Sequence, residues 1–374
     1  MPIQVVSQRF LVFVLFFRIK TFSFRRVIYE TMVLQISMKQ DCIFDKKGIL
    51  LMKKIIALLL IFVLLFTFSA CNGENAGNRP LRIGIIQYMS HPSLDNCYHG
   101  VMDTLEKSNL NYTIDYQVGS SNSADSDCTN FAKNMVAESY DMIIAIATPA
   151  AKAAFAATDD TDIPVVFCAV SDPIAAGLVK DMDCPGYLCT GTSDVLDLEA
   201  QVDLICGFQP NVKKIGILYT SSEDNSLTNL KNFREICHEK NLEVVAIAVQ
   251  GAADIPSAAE ELASKVDCIN NFTDNNVVKN LKVVLSAADK YGIPVYGSEV
   301  EQVKAGCLAA VSIDYEALGR TTGNMVVEIL NGGDASAIAI KTIKEAKPVV
   351  NLDVLSALGL EIHYGEETEF VTTE

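Results

Sequence analysis

Tryptophan is missing altogether, histidine occurs only four times in 374 residues, and charged residues make up just 20% of the chain. Without Trp, any aromatic wall offered to a ligand must come from Tyr, Phe or His. So few histidines leave little for a zinc centre. The one grouping, His91, Cys97 and His99, spaces its histidines eight apart with Cys97 between, which suits no common zinc motif. GxGxxG, a P-loop lysine, HExxH and GxSxG are all lacking, so the usual signatures of dinucleotide, nucleoside triphosphate, metalloprotease and α/β-hydrolase chemistry are missing. Nothing calls for a cofactor, a metal or a catalytic set.

Basic charge is scarce as well, once the N-terminal part is set aside. Residues 1–70 hold ten Lys/Arg and three Asp/Glu, which leaves 20 basic and 43 acidic groups for the other 304 residues. Binding to nucleic acid releases counterions through clustered Lys/Arg, and an anionic bilayer repels an acidic surface, so both partners are excluded for the body of the chain. Half of the residues are hydrophobic and there are 21 glycines, which excludes disorder and collagen-like repeats. The length suits two domains.

From Met52 the chain reads Lys53-Lys54, an apolar run over 55–66, then Thr67-Phe68-Ser69-Ala70-Cys71. A short basic start, about a dozen apolar residues and small residues before a cleavage point make 52–70 a signal peptide, since a spanning helix needs about 20 apolar residues. Phe68-Ser69-Ala70-Cys71 resembles the lipobox of bacterial lipoproteins, with Phe68 where Leu is usual. That resemblance implies a lipid on Cys71, each buried CH₂ contributing roughly 0.8 kcal/mol, and an anchor on the outer face of the cell membrane. A chance cysteine after an uncleaved helix is the alternative. Residues 72–79 read as a polar tether. Residues 1–51, with a second short apolar run over 10–17, read as an extension upstream of the working start at Met52, or as an authentic N-terminal anchor.

Beyond the tether, apolar runs at 81–87, 142–147 and 164–169 alternate with helix-period segments at 94–107 and 131–138, the pattern of parallel sheets buried on both faces. The pattern recurs. Ile83-Gly84-Ile85-Ile86 returns as Ile215-Gly216-Ile217-Leu218, Asp141-Met142-Ile143 as Asp267-Cys268-Ile269, and Ile163-Pro164-Val165 as Ile293-Pro294-Val295, at offsets of 132, 126 and 130. The fold class is therefore α/β, with two Rossmann-like, doubly wound lobes. In open α/β sheets ligands bind beyond the carboxyl ends of the strands, so the loops at 87–94, 148–151, 170–173, 219–226, 273–276 and 298–301 are expected to form one shared cleft.

Those loops carry a family resemblance. Gln87-Tyr88 with His91-Pro92-Ser93-Leu94, Ala147-Thr148-Pro149-Ala150-Ala151, Ser171-Asp172-Pro173 and Thr190-Gly191-Thr192-Ser193-Asp194 are joined by Glu223 with Asn225-Ser226, Thr273-Asp274-Asn275, Leu318-Gly319-Arg320 and Val350-Asn351-Leu352. Together, over about 81–362, they resemble the substrate-binding proteins of ABC transporters, characterised members of which bind aromatic amino acids. The resemblance implies a type I periplasmic-binding-protein fold whose chain crosses a hinge three times. Mapped here, 80–192 with 313–334 forms the first lobe, 193–312 with 335–362 the second, and 363–374 a tail. It also implies an ABC permease and its ATPase as partners. Asn271-Phe272 departs from the proline usual before the Thr-Asp-Asn turn.

A free amino acid needs donors for its carboxylate, an anion for its ammonium and a wall for its side chain. Thr148 as helix cap with Pro149 at the first helical position, followed by Ala150, supplies amides at a favourable dipole end. Asp274 and Asp172 follow strands and are the candidate anions, although Asp172 before Pro173 is equally a turn residue. Asn225 and Ser226 suit ligand contact or helix capping; Glu223, Glu299, Asn275 and Gln87 complete the polar set. Tyr88, His91, Tyr219 and Phe272 are candidates for the wall, or core. Nine cysteines remain beyond Cys71, an odd number, of which Cys184 and Cys189 flank Pro185-Gly186 and can bridge a loop. The function expected is a solute-binding lipoprotein of an importer, not an enzyme. The alternative is a ligand-sensing lipoprotein that signals to a receptor.

Overall fold

Runs that are apolar at every position become strands covered on both faces. The computed structural model describes residues 79–343, 346–361 and 368–374; the leader, Cys71 and the N-terminal extension lie outside the described residues. Strand β1 (Leu81–Gln87) pairs in parallel with β2 (Tyr112–Val118) on one side and β3 (Met142–Ile146) on the other. Strands β4 (Val165–Cys168) and β5 (Cys189–Ser193) extend the parallel sheet. Helices α1 (Pro92–Lys107), α2 (Ala124–Ala137) and α3 (Thr148–Thr158) alternate with the strands. The order β2-β1-β3-β4-β5 reverses its winding after β1, which is where a cleft opens at the strand ends.

The second lobe repeats the plan. After α4 (Leu198–Phe208) come β6 (Lys214–Thr220), α5 (Asp224–Glu239), β7 (Glu243–Val249), α6 (Ile255–Ala263), β8 (Cys268–Asn270), α7 (Asn275–Lys279), α8 (Leu281–Tyr291), β9 (Val295–Tyr296), α9 (Val300–Lys304) and β10 (Ala309–Ser312). Its parallel sheet runs β7-β6-β8-β9, the same winding as the first. All three sequence echoes fall on, or lead into, strands that correspond in the two sheets. Gly84 and Gly216 hold equivalent places with little room for a Cβ: one would sit 2.3 Å from Met135 Sδ in the first lobe, and 2.9 Å from Val266 Cγ2 and 3.0 Å from Leu262 Cγ in the second. Asp141 accepts from the Arg82 amide at 2.8 Å, and Asp267 from the Lys213 and Lys214 amides at 2.8 Å, so the repeated aspartate ties the start of the central strand in each lobe.

After β10 the chain returns to the first lobe as α10 (Tyr315–Leu330), then β11 (Lys341–Thr342), and crosses again to β12 (Lys347–Asn351), α11 (Leu352–Ala357) and β13 (Glu369–Val371). Counting the exit after β5, it passes between the sheets three times. Strand β12 pairs antiparallel with β10 and parallel with β13. One boundary is corrected: the stretch 335–342, expected in the second lobe, places β11 beside β5 in the first sheet. A two-residue strand with one exposed side has too little apolar pattern to announce its partner.

Helix α10 lies against α1 along a seam of glycines. A Cβ on Gly319 would stand 2.2 Å from the Cys97 carbonyl oxygen, and one on Gly100 2.1 Å from that of Glu316. Close backbone approach of this kind fixes the start of α10, and with it Tyr315. Among the described residues all nine cysteines are free, and the expected Cys184–Cys189 bridge is not formed, because Cys189 is buried within β5 while Cys184 is exposed. No helix among them is long and apolar enough to cross a membrane.

Candidate ligand site between the lobes

A partly enclosed pocket lies where the strand ends of the two lobes meet. It takes in about 320 Å³ of unfilled space, part of it open to solvent, and is a narrow slot. The first lobe lines it with His91, Ser93 and Leu94 at the start of α1, Ala147 and Thr148 at the start of α3, and Ala169 and Ser171 after β4. Asp194 and Tyr315 line it from the crossing segments. Asn225, Thr273, Asn275, Val278 and Gln302 line it from the second lobe.

Backbone strain marks this wall. Ala147 has φ 80° and Ala169 φ 58°, conformations that an alanine rarely adopts and that the surrounding packing must enforce. Ala147 rather than Thr148 is the residue before α3, one position earlier than expected, and it has no side chain with which to cap. The starts of α1 and α5 have no side-chain cap bond either. Three helix ends therefore bring amides with positive dipole character to the slot, a setting that favours an anion.

The one carboxylate on the wall is Asp194, 3% exposed. It accepts from Tyr315 Oη at 2.7 Å and Ser171 Oγ at 3.0 Å. Burial raises its pKa, and those two bonds partly offset the rise. His91 meets Asn275 across the cleft, Nε2 to Oδ1 at 3.2 Å. Asn275 Nδ2 donates to Glu223 Oε2 at 2.6 Å, so its oxygen faces His91, and Nε2 must carry the imidazole proton. Burial pushes the His91 pKa down to about 4, which leaves the ring neutral with Nδ1 as an acceptor. His91 Nδ1, Asn225 Oδ1 and Thr273 Oγ1 are all buried and unpartnered. Leaving such a group unpaired costs about 1–3 kcal/mol, and three around one slot make it a site built for polar contact.

Of the expected residues, His91, Thr148, Asn225 and Asn275 come together here. Glu223 stands directly behind, accepting from both asparagines. Its pKa is pushed up to about 8, first by burial and then by the Asp274 charge. Asp274 is corrected to an internal role: it accepts from the Thr220 amide at 2.6 Å, Thr220 Oγ1 at 2.8 Å, Ser226 Oγ at 2.7 Å and the Val277 amide at 3.0 Å, all in its own lobe. Ser226 is thereby its partner, not a wall residue. Asp172 is turned away and caps the Ala175 amide at 3.0 Å.

Gln87 is spent on Met89, Asp95 and Tyr116. Tyr88 and Ala150 belong to the first core, and Tyr219 and Phe272 to the second. Pro149 lines a neighbouring surface depression with Lys152 and Asp224, which form an ion pair between the lobes. Glu299 caps α9 through the Glu301 and Gln302 amides, and burial pushes its pKa up to about 7. Asp194, Tyr315, Ser171, Thr273 and Gln302 were not singled out from sequence. Asp194 ends one of the quoted motifs directly after a strand, which was the available signal.

Residues 82–369 match the family model described as ABC transporter substrate binding protein. The tyrosine-binding protein of Clostridioides difficile is 33% identical over 338 residues, spanning 86% of this chain and 97% of that protein. A Streptococcus pneumoniae domain solved in complex with L-Trp is 36% identical, with a TM-score of 0.74 over 78% of this chain and all of that one. A ligand-free, open substrate-binding protein with adhesive properties from Clostridium difficile, also 36% identical, covers 79% of this chain and all of its own at a TM-score of 0.60. More distant neighbours, such as a Bacillus halodurans solute-binding protein with bound myo-inositol at 16% identity, share the two-lobed fold of type I periplasmic binding proteins. Such proteins bind solutes and are not enzymes, and on this evidence the chain belongs to the family of ABC transporter substrate-binding proteins.

Proposed function

We propose that the chain captures a free amino acid with an aromatic side chain between its lobes and hands it to an ABC permease. The observation that carries this reading is the narrow slot between the lobes, in which uncapped helix ends suit a carboxylate while Asp194 and three unpartnered polar atoms suit an ammonium. His91, Leu94, Tyr315 and Val278 supply the less polar wall. The tyrosine- and tryptophan-binding relatives support the side-chain class. Contacts from both lobes to one guest make affinity and closure a single coupled equilibrium. The lipid expected on Cys71 would keep the protein on the outer face of the membrane beside its permease. A thermal-shift screen of the purified chain against the twenty amino acids tests this: tyrosine, phenylalanine or tryptophan should raise Tm, and no response to any amino acid would remove the ligand class.

A further inference from the structure

Glu223 does not line the slot, yet it governs two residues that do. Its Oε2 accepts from Asn225 Nδ2 at 3.2 Å, Asn275 Nδ2 at 2.6 Å and the Asn275 amide at 3.1 Å. The Asn225 amide group is held a second time by the Thr273 carbonyl oxygen at 3.1 Å. An asparagine whose NH₂ is engaged on one side must present its oxygen on the other. Asn275 turns its oxygen to His91 and thereby fixes which imidazole nitrogen holds the proton; Asn225 keeps Oδ1 buried and unpartnered.

We propose that Glu223 is a positioning residue that locks both asparagines oxygen-outward, so that this side of the slot offers acceptors and admits a ligand by its ammonium end. Asn225 Oδ1, His91 Nδ1 and the Asp194 carboxylate then form the acceptor set, and the ligand carboxylate lies toward the start of α3. The proposal rests on the amino-acid reading above and assigns the guest a direction within the slot. Glu223→Gln can keep an oxygen where Oε2 stands and preserve the arrangement. Glu223→Met cannot: it leaves Asn275 Nδ2 without its acceptor and Asn225 Nδ2 with the Thr273 carbonyl oxygen alone.

The test is calorimetric titration of wild type, Glu223→Gln and Glu223→Met with L-tyrosine and with 3-(4-hydroxyphenyl)propionate, which lacks only the amine. Wild type should prefer tyrosine strongly. Glu223→Gln should keep that preference within about threefold, and Glu223→Met should lose at least tenfold of it. Equal weakening of both probes by Glu223→Met would mean a purely structural role and would overturn the proposal. If Glu223→Met does not fold, Asn225→Ala takes its place, and an unchanged preference there overturns it equally. Side-chain amide ¹⁵N NMR without ligand separates the two claims. A protected Asn275 NH₂ signal, present in wild type and Glu223→Gln but lost in Glu223→Met, upholds the positioning even if neither probe binds, in which case the ligand class alone has failed. Unprotected signals in wild type overturn the positioning.

Discussion

Tyr315 donates its phenolic proton to Asp194 across 2.7 Å, joining the first residue of α10 to the segment that leaves β5. The two residues are 121 positions apart in sequence and sit on different crossings between the lobes. A carboxylate held this way cannot swing to follow a ligand, so on the proposed reading it would meet an ammonium already placed. Asp194→Asn keeps the shape and removes the charge. Affinity for L-tyrosine should fall by about 2–5 kcal/mol, read by calorimetry, because the ammonium is left without its counter-ion. Unchanged affinity would move the ammonium elsewhere.

Tyr315→Phe removes the donor alone. Asp194 keeps Ser171, so the expected loss is smaller, about 1–3 kcal/mol in combined folding and ligand affinity, measured by denaturant melts and titration. A variant indistinguishable from wild type in both would deny the bond any part in the site.

Glu223 makes folding depend on pH with a definite sign. Its pKa in the folded protein is raised to about 8 from an ordinary 4.5, so its contribution is fully present below about pH 4.5 and is lost as pH rises through 8. Glu299, raised to about 7, slopes the same way. His91, lowered to about 4 from 6.5, slopes oppositely: its contribution is present above about pH 6.5 and falls away toward pH 4. Comparing Tm of wild type and Glu223→Gln between pH 5 and 8 should show the variant gaining on wild type as pH rises. Parallel curves would contradict the assignment.

Lys152 and Asp224 pair across the mouth of the cleft, both partly exposed. Exposed pairs contribute about 0–1 kcal/mol and are screened by salt. Lys152→Ala should weaken tyrosine binding at most about fivefold in low salt, and the difference should vanish near 1 M salt. A salt-independent loss would point to packing instead.

Gly319→Ala places a methyl 2.2 Å from the Cys97 carbonyl oxygen, where only backbone movement can relieve the clash. Overpacking of this kind costs roughly 1–3 kcal/mol. Because the same seam sets Tyr315, thermal melts should show a lower Tm and titration a weaker Kd together. A normal Kd in a destabilised protein would separate the seam from the site.

Much of the fold is legible in the chain because its causes are local. The apolar runs, the Gly84 and Gly216 contacts, and the Asp141 and Asp267 ties each leave a mark at fixed offset. The polarity of the cleft is less legible. Asp172, Asp194 and Asp274 all lie just beyond strands; Pro173 signals a turn at Asp172, but nothing nearby in sequence tells Asp194 from Asp274. What separates them is the partner: the Ala175 amide three residues on for Asp172, a cluster within one lobe for Asp274, and a tyrosine on a distant crossing for Asp194. Tyr219 and Phe272 read as wall or core with equal ease, and only packing sends them inward.

The two alanines with positive φ, Ala147 and Ala169, have a further meaning. Glycine at either place would relax the chain and also let the loop tip wander. Alanine keeps the tension and forbids the wandering, so the energy needed to shape this rim is spent when the polypeptide first folds. Each later encounter with a guest begins from a rim already set, which favours quick, repeated capture over slow moulding.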